Sequence, residues 1–154
     1  MLKKLRGRRG VTLLETLLAV GILAIAITVI SAGMPVALHV YKEAVASSEA
    51  GVLASTLTEA IADELRWATD PQADGIYVST VYGAGAQITV DQGHLTVGDY
   101  PLVGERAYTN GLKVDKFECK YKDGTFEVHF KIQDTDGKER TDVEFQIVPV
   151  NDSK

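Results

Sequence analysis

Residues 46–68 read ASSEAGVLASTLTEAIADELRWA, and this stretch decides the fold. Ala46, Ala50, Leu53, Leu57, Ile61, Leu65 and Ala68 recur at spacings of three and four, which lines them up along one side of a helix. Glu49, Thr56, Glu59, Asp63 and Arg66 fall largely off that stripe. A helix patterned in this way has one face to bury, so a second layer must be supplied elsewhere in the chain. Thr69-Asp70-Pro71 is the expected stop, because Pro71 pushes Asp70 towards extended conformations.

Towards the N-terminus the stripe gives way to apolarity on every side. From Thr16 to Tyr41 there is no Asp, Glu, Lys or Arg, a run longer than the ~20 residues needed to cross a membrane. The periodicity predicts one long helix over residues 11–68, with an apolar membrane-seeking part (11–41) and an amphipathic part (42–70). Gly33-Met34-Pro35 interrupts it, since Pro35 lacks an amide donor and its ring crowds the carbonyl four residues back. A kink or a locally melted turn is expected there.

The charges are unevenly spread. The whole chain carries 16 basic and 21 acidic residues for a net charge of −5. Lys3, Lys4, Arg6, Arg8 and Arg9 all precede Val11; without them, eleven basic residues face 21 acidic ones, a balance of −10. That balance argues against nucleic acid as a direct partner of the body, because phosphate binding relies on Lys and Arg. The basic cluster before the apolar run predicts that the leader stays in the cytoplasm and that everything after Tyr41 lies across the membrane. Cys119 is the only cysteine, which excludes an intrachain disulfide and any CxxC motif.

Glu15 does not fit a plain membrane helix. An unpaired carboxylate at mid-membrane depth costs roughly 2.5–3.5 kcal/mol. A secretory signal cleaved near Ser31-Ala32-Gly33 fares no better: the apolar run before that site is too long, and Glu15 stands where only apolar residues are wanted. A short basic leader ending in Gly10, then Val11 and Thr12-Leu13-Leu14-Glu15 at the head of a long apolar helix, resembles the class III signal of type IV prepilins and of the pseudopilins of type II secretion and competence machines. The resemblance implies that a membrane-embedded prepilin peptidase cuts between Gly10 and Val11 and that Val11 is then N-methylated. It also implies a role for Glu15 in assembly. The carboxylate lies four residues along the helix from the new amine, its own or a neighbour's, and opposite charges about 4 Å apart at an effective dielectric near 20 attract by ~4 kcal/mol. That offsets the insertion cost and favours one stacking offset between subunits over others.

After Pro71 the pattern becomes that of strands. Residues 76–82, 86–90 and 94–97 are short candidates, and Gly83-Ala84-Gly85 reads as a turn because it lacks the third glycine and following helix of a phosphate loop. Phe117, Cys119 and Tyr121 alternate with charged residues, Lys122-Asp123-Gly124 turns the chain, and Phe126, Val128, Phe130 and Ile132 alternate again. A second turn at 134–137 leads to Val143, Phe145 and Ile147. The expected fold class is α+β: the second half of a long N-terminal helix covers one antiparallel β-sheet in a head formed by residues 71–154.

Enzymatic readings find little support. His39, His94 and His129 have no metal-ligand spacing, Ser47-Ser48 has no identifiable base, and Cys119 falls on an inward strand face where a buried structural thiol is the usual case. Asp134, Asp136 and Glu139 around Gly137 partly match an oxygen-rich calcium loop, and some pseudopilins hold calcium in this region; a hairpin turn uses the same Asp and Gly for backbone reasons alone. The expectation is a non-enzymatic, single-pass filament subunit without cofactor, whose partners are the prepilin peptidase, other pilin subunits and the membrane. The alternative is a membrane-anchored extracytoplasmic binding domain that does not polymerise.

Overall fold

A computed structural model describes residues 12–150. Helix α1 (Leu13–Arg66) runs for 54 residues and is followed by eight strands, all paired antiparallel. The chain divides into two compact units between Lys42 and Glu43.

The first unit is helical as far as it is described. It is long and apolar enough to cross a membrane, and none of its most apolar stretch is buried within the molecule. The helix passes Gly33, Met34 and Pro35 without a break, so the melted turn expected there is not found. A proline's fixed φ near −65° is itself helical, and the ring removes one donor, opposite the carbonyl of Ser31.

The second unit holds the core. Here α1 buries Ala50, Leu53, Ala54, Leu57, Ile61 and Leu65, the expected stripe with Ala54 added, while Ala46 is only half-buried. The stripe packs in one cluster with the sheet formed by β6 (Lys113–Lys122), β7 (Thr125–Gln133) and β8 (Glu139–Ile147), in the order β6-β7-β8. Position in the sheet sets burial. On the central β7, Phe126, Val128, Phe130 and Ile132 are fully enclosed, whereas Phe117, Cys119 and Tyr121 of β6 and Val143 and Phe145 of β8 are half-buried at the two edges. Each fully enclosed large side chain contributes about 1.5–3 kcal/mol by leaving water. Asp123 and Gly124 join β6 to β7 with φ of 51° and 83°, the doubly left-handed pair of a type I′ turn whose twist matches that of the strands.

Several details correct the sequence reading. The helix ends at Arg66, and Asp70 has a φ of 50°, left-handed and not extended. Thr69 and Val78 exchange backbone hydrogen bonds of 3.0 and 2.8 Å, so the chain has to reverse at Asp70, one of the residue types that tolerates this conformation. The carbonyl that Arg66 leaves free at the helix end accepts the Val150 amide at 2.8 Å.

Gly83-Ala84-Gly85 lies in a strand and not in a turn. β1 (Tyr77–Ser79) pairs with β2 (Gly83–Ala86), and the reversal comes earlier because Ser79 Oγ accepts the amides of Val81 and Tyr82 at 3.1 and 3.0 Å. The expected strand over 86–90 is split at Gln87: Ala86 pairs with Tyr77, whereas Ile88 opens β3 (Ile88–Asp91), which pairs with β4 (His94–Val97). With β5 (Tyr100–Pro101), the head therefore holds three small sheets where one was expected.

Candidate functional site

The sequence places the candidate site at the start of α1. Gly10 and Val11 lie outside the described residues. Thr12 caps the helix: its Oγ1 accepts the Glu15 amide at 3.3 Å, and its carbonyl accepts the amides of Glu15 and Thr16 at 3.0 and 3.2 Å. Thr12-x-x-Glu15 is therefore a capping-box sequence, a local role for these residues that sequence reasoning missed although the spacing was legible. An acid in the first turn stabilises a helix by about 0.3–1 kcal/mol. This is well short of the roughly 2.5–3.5 kcal/mol for a carboxylate at mid-membrane depth. Capping alone would leave most of such a cost uncompensated.

Around and beyond Glu15 the helix presents apolar side chains in every direction. Leu13, Val20, Ile27 and Val36 are each more than half exposed. A helix apolar all round belongs in lipid or among other apolar helices, because water would meet an uninterrupted hydrophobic surface.

The second unit begins with a charged clasp that the sequence did not reveal. Arg140 donates from Nη1 and Nη2 to the Glu43 carboxylate at 2.7 and 3.2 Å, and from Nε to Asp134 Oδ2 at 2.8 Å. Lys138 Nζ adds a further bond to Glu43. The Arg140 and Asp134 side chains are only 10% and 11% exposed, so this is a nearly enclosed pair. Arg140 and then Lys138 hold the Glu43 carboxyl down to about 2 from the usual 4.5. Asp134 is also lowered, first by the Lys138 amide, and both of its acidic neighbours raise Arg140, Glu43 more than Asp134. Six residues further along the helix, Glu49 accepts Asn110 Nδ2 at 2.6 Å. Helix α1 thus enters the head held by polar contacts before its first buried residue, Ala50.

This clasp also accounts for the candidate calcium ligands. Asp134 accepts the amides of Asp136 and Lys138, each at 2.9 Å, in addition to Arg140, while Glu139 is bound by Lys131 at 2.8 Å. The structure does not bring Asp134, Asp136 and Glu139 together around one point. Among the described residues no group of three or more His, Cys, Asp or Glu side chains is placed to hold a metal ion. The geometry is that of a hairpin turn tied down by an arginine.

The remaining candidates are scattered. His39 is exposed on α1, the His94 ring lies 4.2 Å from that of Tyr108, and His129 Nε2 is 2.6 Å from Asp142. Cys119 is half-buried on the inward side of β6, less enclosed than expected because β6 is an edge strand, and burial pushes its thiol up to about 11. A thiol so raised stays protonated and is a poor nucleophile. Compared with family models, with curated proteins and with solved structures, the chain finds no match.

Proposed function

We propose that this chain is a structural, non-enzymatic subunit, a pilin or pseudopilin, of a type IV pilus-like filament. It is inserted in the cytoplasmic membrane with its C-terminal head outside the cytoplasm, is cleaved by prepilin peptidase between Gly10 and Val11, and assembles through its apolar helix. One observation carries this reading: a 54-residue helix whose first half is apolar all round and unburied and whose second half is striped and packed against a sheet. The Gly10-Val11-Thr12-Leu13-Leu14-Glu15 sequence supports it, because a carboxylate in that position finds its natural counter-charge in the new amine of a neighbouring Val11.

N-terminal sequencing of the membrane-extracted protein tests processing: a mature chain beginning at Val11 supports the reading, and one beginning at Met1 supports a bare anchored domain instead. Gly10→Leu is expected to accumulate as precursor. Glu15→Leu tests assembly separately. Removing the charge leaves insertion and head folding intact, so the variant should be cleaved and membrane-resident yet poorly incorporated into sheared filaments. Assembly at the wild-type level would remove Glu15 from any register role.

A further inference from the structure

Four of the basic residues that follow Val11, namely Lys113, Lys116, Lys120 and Lys122, sit on the one strand β6, and all four are exposed. Asp115 and Glu118 lie on the same strand, so on β6 four basic residues face two acidic ones, a balance of +2, against −10 for the body that follows the leader. Strand alternation turns Lys116, Lys120 and Lys122 away from Phe117, Cys119 and Tyr121, so they stand on the side of the sheet facing away from the core. Lys120 is paired with Glu118 at 3.1 Å, while Lys113, Lys116 and Lys122 make no ion pair among the described residues.

A complementary surface lies at the other edge of the same sheet. Glu59 and Asp63, one helical turn apart on α1 and both exposed, border an open groove floored by Ala54, Ala62 and Val143, with Arg66 at its end. Neither acid makes an ion pair among the described residues. Like charges at this spacing repel, so the pair gains from any cation brought to it. Lys113, Lys116 and Lys122 on one side and Glu59 and Asp63 on the other thus carry charge that no ion pair of the described residues matches.

We propose that the lysine-bearing β6 edge of one copy docks against the Glu59/Asp63 groove beside β8 of the next copy. The inference rests on the filament reading and specifies its head-to-head contact. Because one surface is on β6 and the other beside β8, at opposite edges of the sheet, filling one leaves the other free. Such a heterologous contact propagates from copy to copy, giving an open filament where the rotation does not close a ring.

Full-length chains produced in cells that carry a prepilin peptidase and filament assembly machinery provide the test, with sheared filament yield as the readout. Lys116→Glu/Lys120→Glu and Glu59→Lys/Asp63→Lys are each expected to lower the yield about tenfold or more, since like charges are then placed opposite one another. Produced together, the two variants should assemble as an alternating copolymer, each supplying the charge that the other has reversed. The fourfold variant should assemble alone. Lysines that serve only to keep the β6 edge from pairing at random would give neither recovery. Wild-type yield from either double variant, or failure of both the mixture and the fourfold variant to recover, overturns the docking surface. Failure of the wild-type chain itself to form filaments overturns the filament reading on which it rests.

Discussion

Ile22 and Leu57 lie on one helix, yet Ile22 is 64% exposed and Leu57 is 0% exposed. The side chains are alike; their surroundings differ. Around Leu57 the off-stripe positions are Thr56, Glu59 and Asp63, so the helix offers water a polar face and the sheet an apolar one. Around Ile22 the neighbours at every angle are Leu18, Ala19, Leu23, Ile25 and Ala26, and there is no polar face to offer. One continuous backbone therefore presents two kinds of surface, and the change falls where the two units divide, at Lys42 and Glu43.

The largest expected effect breaks this comparison on the head side. Phe130, fully enclosed on the central strand β7, should cost the head about 3–5 kcal/mol when replaced by Ala, through lost burial and the cavity left behind. Ile22→Ala should leave head unfolding within about 0.5 kcal/mol of wild type, as for exposed sites in general. Thermal unfolding of the full chain in detergent, followed by an aromatic signal from the head, measures both. Equal effects from the two substitutions would mean that the apolar helix belongs to the head's cooperative unit.

Two glycines sharpen the contrast at intermediate size. Gly75 has a φ of 81°, and a Cβ there would stand 2.5 Å from the Cys119 carbonyl oxygen, a backbone atom that cannot swing aside. Gly75→Ala should lower head stability by roughly 1–3 kcal/mol. Gly51 lies inside α1 with nothing within 4 Å of its would-be Cβ, and Gly51→Ala should raise stability by roughly 0.5–1 kcal/mol. The same denaturation experiment reads both, and the prediction lies in the opposite signs.

What the sequence made legible follows from which forces act locally. The stripe from Ala50 to Leu65, the alternation Phe126-Val128-Phe130-Ile132 and the Asp123-Gly124 turn each rest on a repeat or a backbone preference contained within a few residues, and each is present in the structure. What was not legible depends on partners far along the chain. The helix stops where Val150 reaches Arg66, Asp70 is turned by the Thr69 pairing with Val78, and the change of partner at Gln87 is visible only once β1 and β4 are in place. The clasp belongs to the same class, since Glu43 and Arg140 are 97 residues apart. Asp134, Asp136 and Glu139 suggested an ion because their spacing was seen without Arg140 and Lys131, which occupy two of the three carboxylates.

The smallest expected effect lies at the junction itself and is read in pH. Arg140 and Lys138 favour the ionised form of Glu43 and hold its carboxyl at about 2 in the folded head, against an ordinary 4.5. A group lowered on folding contributes stability that is fully present above its unfolded value, here about 4.5, and that is lost as pH falls through the folded value near 2. The Glu43 side chain is 35% exposed, so solvent screens the pair and the effect stays below that of the core substitutions. The wild-type head should therefore melt at progressively lower temperature as pH is reduced through this window. Glu43→Gln carries no titrating carboxyl at that position and should show a shallower fall. Asp134 is lowered too and faces the same guanidinium, so some slope should remain in Glu43→Gln and shrink further when Asp134→Asn is added. Melting curves of the full chain at a series of pH values between 5 and 2 make the comparison. A Glu43→Gln slope equal to that of wild type would show that helix α1 enters the head without help from Glu43.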